Sequence, residues 1–308
     1  MTYALTTLIL TPLAICFSRP RTEAMSPSKA GLAWGGNSHE IAQFTSTGKV
    51  FWYYTWSPKS YIPGTNIEFV PMLWGSKETE EFSSTINDTL AGGGVTAVLG
   101  MNESQETQQS NLTCSEGADM WKTYIEPLRS HSEGVKLGSS APSGAPSGKI
   151  WLEQFLTVFC DTLSVLQANC FVTDWFDINS TQFVSHLQNF HGTFDRPIWV
   201  TEWVCQNFND ADNNQCSEEE IKVFLNATQS FMDNTDWVER YTWFGAMTDL
   251  QGVNQGNALM NSDRDINSLG KQYTGEEDNM HLITSGGVCP FRIPNTSACL
   301  TQNFSVIY

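Results

Sequence analysis

Cationic charge is scarce in this chain: Lys and Arg total 16 against 33 Asp and Glu, for a formal charge of −17 at pH 7. A field of that sign repels nucleic acid and anionic membranes, which leaves a neutral ligand as the better fit. Histidine is equally sparse. His39, His131, His186, His191 and His281 are scattered without metal-ligand spacing, and Ser262-Asp-Arg-Asp265 lacks the spacing of a calcium loop, so no metal and no cofactor are expected. There is no G-x-S-x-G elbow, no heptad run and no internal repeat. Gly92-Gly-Gly94 precedes an apolar run instead of following one, so it reads as a turn and not as a phosphate cradle.

Long apolar runs are missing too. Ala4 to Phe17 has the length of a secretory h-region and falls short of the roughly 20 residues that span a bilayer. Residues 1–24 are therefore expected to form a signal region, with cleavage between Ala14 and Ala24, on a secreted protein of the extracellular space or cell wall without a membrane anchor. N-x-[ST] sequons begin at Asn87, Asn102, Asn111, Asn179, Asn226, Asn295 and Asn303, in keeping with that route. Asn102 is expected to stay bare because of its place in the site described below.

Eight cysteines occur, one of them, Cys16, within the signal region. Short sequence separations suggest Cys160 with Cys170, Cys205 with Cys216 and Cys289 with Cys299, leaving Cys114 free. The Asn/Asp-rich loop between Cys205 and Cys216 folds back most easily.

At 308 residues, 40% hydrophobic and 12% aromatic, the chain can bury one substantial core, and a monomer is expected. Eight strand-like runs follow in order: Gly31–Trp34, Phe51–Tyr54, Phe69–Leu73, Thr96–Gly100, Val135–Ser139, Phe171–Trp175, Ile198–Thr201 and Arg240–Phe244. Helical periodicity lies between them over Glu78–Leu90, Ala118–Leu128, Ile150–Leu166, Thr181–Phe190 and Ser217–Met232, the last opening with a capping-box pattern. Strand alternating with helix implies a parallel sheet, and eight units fit a compact, single-domain (β/α)8 TIM barrel over residues 25–275. Residues 276–308 read as an irregular extension packed on the barrel.

Two of the apolar runs end in a glutamate, Glu103 after Val98-Leu-Gly-Met-Asn and Glu202 after Ile198-Trp-Val-Thr. In a barrel, side chains at the C-terminal strand ends converge on one cavity, and glycoside hydrolysis needs two carboxylates there, one protonated and one ionised. Asn102 beside Glu103 offers an amide to a sugar hydroxyl. Aromatics supply faces on which sugar rings stack, and Trp34, Trp56, Trp74, Trp175, Trp203 and Trp243 lie at or near strand ends, with Trp74 and Trp203 the best placed.

Together the strings Gly31-Leu-Ala-Trp34, Phe51-Trp-Tyr-Tyr-Thr-Trp-Ser57, Phe69-Val-Pro-Met-Leu-Trp-Gly75, Gly100-Met-Asn-Glu103, Gln109-Ser-Asn-Leu-Thr113, Lys136-Leu-Gly-Ser139, Trp199-Val-Thr-Glu-Trp203 and Arg240-Tyr-Thr-Trp-Phe-Gly245 resemble fungal glycoside hydrolase family 128 over roughly residues 30 to 273. That resemblance implies a β-1,3-glucanase in which Glu103 is the acid/base, Glu202 the nucleophile, and Trp34, Trp74 and Trp203 line glucan subsites. Two departures stand out. Ser104 replaces the proline usual after Asn-Glu, and Asp174-Trp175-Phe176 stands where the family has His-Trp-Tyr; Asp174 is a candidate for contacting sugar hydroxyls. The expectation is a secreted, retaining endo-β-1,3-glucanase acting on β-glucan. The alternatives are a weak or inactive β-glucan-binding protein on the same scaffold and a hydrolase of another β-glycan.

Overall fold

The computed structural model describes residues 28–131, 134–160, 168–210 and 214–276. The expected signal region and all but the first residue of the expected C-terminal extension, with Cys289 and Cys299, lie outside them.

All eight expected strands form, and every pairing between them is parallel. They are β1 (Ala30–Trp34), β2 (Val50–Tyr54), β3 (Glu68–Phe69), β4 (Ala97–Val98), β5 (Lys136–Leu137), β6 (Phe171–Phe176), β7 (Ile198–Val204) and β8 (Val238–Ala246). Six hydrogen-bond in the order β3-β2-β1-β8-β7-β6, and β4 pairs with β5. Single bridges, Met72 with Leu99 and Gly138 with Cys170, join the two groups and close the ring. The third, fourth and fifth strands are shorter than the sequence suggested. Pro71 cannot donate to a ladder, so beyond Phe69 the chain is held by isolated contacts such as Leu99 N–H to the Pro71 carbonyl, 2.9 Å.

Helices flank the ring: α1 (Thr79–Ala91), α2 (Cys114–Met120), α3 (Leu128–His131), α4 (Pro146–Cys160), α5 (Ser180–Phe194), α6 (Glu218–Asp233) and α7 (Ser268–Thr274). α6 begins as its sequence indicates, with Ser217 and Glu220 capping each other's backbone amides. The helix expected over Ala118–Leu128 starts earlier, at a second capping box formed by Thr113 and Glu116, and widens into a π turn over Trp121–Ile125. There the Glu126 amide reaches back five residues to the Trp121 carbonyl at 2.9 Å.

Two apolar layers result. Inside the barrel lie Trp52, Val70, Met72, Leu99, Cys170, Val172 and Trp199; between strands and helices lie Ile198, Val200, Trp203, Tyr241, Phe183 and Phe224 among others. A Cβ on Gly31 would fall 2.3 Å from the Trp52 indole, so only glycine admits that ring. At the N-terminal end the Arg240 guanidinium stacks 4.4 Å from the Trp199 ring and pairs with Glu68 at 2.7 Å, closing the floor.

The cysteine expectations divide. Cys205 and Cys216 form a disulfide, and Cys114 is a free thiol. Cys170 is free as well, which corrects its pairing with Cys160: its side chain belongs to the barrel interior with Val172 and Trp199, whereas α4, which ends at Cys160, packs on the outside.

Candidate functional site

The C-terminal ends of the strands open into a cleft of about 1430 Å³, larger than the roughly 300–1,000 Å³ typical of small-molecule pockets. Glu103 and Glu202 both line it, together with Trp34, Trp56, Trp74, Asn102 and Trp175. Three other expected members do not. Asp174 is wholly buried beneath the surface, and Trp203 and Trp243 sit in the layer between strands and helices.

A bulge in β7 explains much of this. Along β6 the register runs Thr173 to Val200 and then Asp174 to Glu202, and along β8 it runs Val200 to Tyr241 and then Trp203 to Trp243. One extra residue in β7 thus faces both neighbours. Strict alternation would set Glu202 outward with Ile198 and Val200, and Trp203 inward with Trp199. The extra residue reverses the phase: Glu202 turns into the cleft and Trp203 turns out, its Nε1 donating to Thr228 Oγ1 of α6 at 3.0 Å. Trp243 follows simple alternation on β8. Its indole N–H donates outward to the Asn257 carbonyl at 2.8 Å, while its neighbour Phe244 lines the cleft.

The two glutamates have unlike surroundings. Glu202 Oε1 accepts from Trp56 Nε1 at 2.8 Å, and the Tyr54 hydroxyl, whose proton goes to the Thr201 carbonyl at 2.9 Å, lies 3.4 Å away. Burial raises its pKa to about 7, and these two neighbours, Trp56 first, act in the opposite sense by favouring the carboxylate. Among the described residues no side chain donates to Glu103. Burial first, then the charges of Glu202 and Glu106, push its pKa up to about 8. The indole donation favours the ionised form at Glu202, and no described side chain does the same at Glu103, so the surroundings favour a shared proton on Glu103.

Glu103 sits at φ +35, supported by its amide's bond to the Ala141 carbonyl at 2.7 Å. A proline at the next position would push Glu103 toward extended backbone. Ser104 instead buries its hydroxyl against Ser140 Oγ at 2.6 Å, so the first departure from the family pattern is built into the loop. Asn102 is fixed through its amide to the Trp74 carbonyl, 3.0 Å, and its side chain donates to Gln109 Oε1 at 3.4 Å.

The second departure, Asp174, lies under Glu202. Its Oδ1 accepts from the Thr201 hydroxyl at 2.6 Å, and its Oδ2 is buried without a partner. Burial, reinforced by the charges of Glu202 and Glu103, holds its pKa well above the ordinary carboxyl range.

Several lining residues were not singled out as site residues from sequence. Glu106, three residues beyond Glu103, accepts from Ser143 Oγ at 2.8 Å and ties the turn-rich loop after β5 to the cleft rim. Phe176 and Phe208 extend an aromatic wall: the Trp56, Phe244, Phe176 and Phe208 rings follow one another at centroid spacings of 5.9, 5.7 and 5.4 Å. Phe208 belongs to the loop closed by the Cys205–Cys216 disulfide. The indole nitrogens of Trp34 and Trp175 are buried without a protein acceptor, two donors beside the cleft. Among the described residues no group of His, Cys, Asp or Glu could hold a metal ion, and no helix is long and apolar enough to cross a membrane.

A closed parallel barrel carrying two buried carboxyl groups at the ends of different strands is an arrangement that suits glycoside hydrolysis. The chain belongs to the family described as glycosyl hydrolase catalytic core, which matches residues 31–273. It is similar to the crystal structure of a family 128, subgroup III, curdlan-specific exo-β-1,3-glucanase from Blastomyces gilchristii in complex with glucose, at 26% identity and a TM-score of 0.64 over 81% of this chain and 99% of that one. A subgroup V exo-β-1,3-glucanase from Cryptococcus neoformans matches at 25% and 0.65 over 80% and 98%. The fold is also that of a subgroup I endo-β-1,3-glucanase from Amycolatopsis mediterranei, at 23% and 0.66 over 80% and 99%. Alkali-sensitive linkage protein 1 of Schizosaccharomyces pombe is 29% identical over 249 residues, and the match spans 80% of this chain but 44% of that protein's length.

Proposed function

We propose that this protein is a secreted, monomeric, retaining endo-β-1,3-glucanase. The observation that carries the mechanism is the unequal donation to the two carboxyls: Trp56 donates to Glu202 at 2.8 Å and thereby favours its ionised form. In the first step Glu103 passes its proton to the departing glucosyl oxygen while the Glu202 carboxylate attacks C1, breaking the glycosidic bond and forming a glycosyl ester. In the second, Glu103 takes a proton from water, whose oxygen attacks C1 and releases Glu202, so two inversions give net retention. Trp34, Trp56, Trp74 and Trp175 line the cleft, and the two less buried of them, Trp56 and Trp74, provide stacking faces.

The size of the cleft supports binding of several glucosyl units at once and so internal cleavage. Exo action is the second reading, favoured by the exo-β-1,3-glucanase activity of the Blastomyces gilchristii and Cryptococcus neoformans relatives. The net charge of −17 suits acidic surroundings, where protonation of surface carboxylates relieves self-repulsion. The test is incubation with soluble β-1,3-glucan, mixed-linkage β-glucan and xylan, following new reducing ends and product lengths. Mixed-length oligosaccharides from the β-1,3-glucan alone support the endo reading, and glucose alone from the outset replaces it with the exo reading. Silence on all three, with glucan binding retained, moves the protein to the class of glucan binders.

A further inference from the structure

Asp174 has no route to a sugar. It is fully buried, its Oδ1 accepts from Thr201 at 2.6 Å, and its Oδ2 is buried without a partner. What it does touch is the bulge that aims Glu202. Thr201 is the residue without a register partner on either side, skipped between Thr173 and Asp174 of β6 and between Tyr241 and Trp243 of β8, so its polar groups must find other partners. Three side chains meet that need. Tyr54 donates its hydroxyl to the Thr201 carbonyl at 2.9 Å, Thr242 donates to the same carbonyl, and the Asp174 carboxyl takes the Thr201 hydroxyl. Asp174 alone of the three holds the Thr201 side chain, next to the nucleophile in the bulge.

We propose that Asp174 is a positioning residue that pins the β7 bulge and thereby turns the Glu202 carboxyl into the cleft. The proposal rests on the reading of Glu202 as nucleophile for its catalytic consequence, but its structural content stands apart from turnover. A displacement of about 1 Å at a reacting group can lower the rate on the order of 100-fold, and it does so without weakening ground-state binding by subsites further along the cleft.

The experiment compares wild type with Asp174→Ala, Asp174→Asn and Thr201→Val, measuring kcat and KM on β-1,3-glucan and amide hydrogen exchange across β7. In Asp174→Ala, kcat is expected to fall about 100-fold with KM within about threefold, and the Glu202 and Trp203 amides to exchange about tenfold faster. Asparagine keeps the acceptor, so Asp174→Asn is expected to stay within about fivefold of wild type on kcat with β7 protection intact. Thr201→Val breaks the same contact from the other side, and adding it to Asp174→Ala is expected to cost little more. Wild-type kcat and β7 protection in Asp174→Ala would overturn the proposal. So would an Asp174→Asn as impaired as the alanine variant, which would assign the role to the acidic proton itself. If wild type turns over no glucan, the nucleophile reading fails while hydrogen exchange still decides whether Asp174 holds the bulge.

Discussion

Replacing Trp56 by phenylalanine removes one hydrogen bond to Glu202 and leaves most of a packed ring in place. The bond from Nε1 is 2.8 Å long to a carboxylate that is 5% exposed, and the indole also packs on Tyr54 and Phe244 at ring spacings of 5.0 and 5.9 Å. Phenylalanine keeps those contacts in large part. A hydrogen bond to a charged group is worth about 1.5–3 kcal/mol, and one pKa unit corresponds to about 1.4 kcal/mol, so the Glu202 pKa should rise by about 1–2 units. The sign follows from which form the bond favours: without the donor the carboxylate is less stable, and ionising the nucleophile requires higher pH. In a profile of kcat/KM against pH on β-1,3-glucan, the acidic limb therefore moves up while the alkaline limb, set by Glu103, moves little. The two limbs approach each other, so the maximum also falls, because less enzyme carries the proton on Glu103 with Glu202 ionised. A uniform loss at every pH with the acidic limb unmoved would refute the reasoning and reduce Trp56 to a packing residue.

Glu103 should lower stability as pH rises. Its folded pKa of about 8 lies above the unfolded carboxyl value, so the native state holds a proton that the unfolded chain has already lost, and raising the pH from about 4.5 toward 8 favours unfolding. Glu103→Gln should thus gain about 1–3 kcal/mol on wild type across that window, read as a difference in Tm that widens with pH; a constant difference would contradict it. Trp74→Ala should raise KM for glucan with little change in Tm, whereas Trp203→Ala, in the wall between β7 and α6, should cost about 3–5 kcal/mol of stability, as thermal unfolding and steady-state kinetics would show. Replacing Cys205 and Cys216 by serine should cost about 2–3 kcal/mol, and non-reducing peptide mapping of wild type should find these two linked and Cys170 alkylatable only after unfolding.

The barrel was legible because its strands announce themselves as apolar runs with abrupt polar ends, and all eight positions recur in the structure. The placement of Trp243 was also within reach of the sequence. Counting by twos along β8 puts Thr242 and Phe244 on one face and Tyr241 and Trp243 on the other, and Phe244 is the cleft residue. Trp203 was not. A bulge leaves no mark in a run such as Ile-Trp-Val-Thr-Glu-Trp, whose residues suit either phase, and the side chains that contact it, Tyr54, Asp174 and Thr242, come from three other strands. Asp174 was misjudged for the same reason: its partner Thr201 becomes visible only when β6 and β7 lie side by side. The Cys160–Cys170 pairing rested on short separation alone, and the barrel wall intervenes.

The division of labour between the carboxyls is the central claim, and azide rescue of Glu103→Ala and Glu202→Ala on an activated aryl β-glucoside tests it most directly. If Glu202 is the nucleophile, azide occupies its place in Glu202→Ala and yields the α-glucosyl azide, while in Glu103→Ala azide attacks the glycosyl-enzyme and yields the β-glucosyl azide. The opposite assignment of anomers would exchange the two roles and contradict the account.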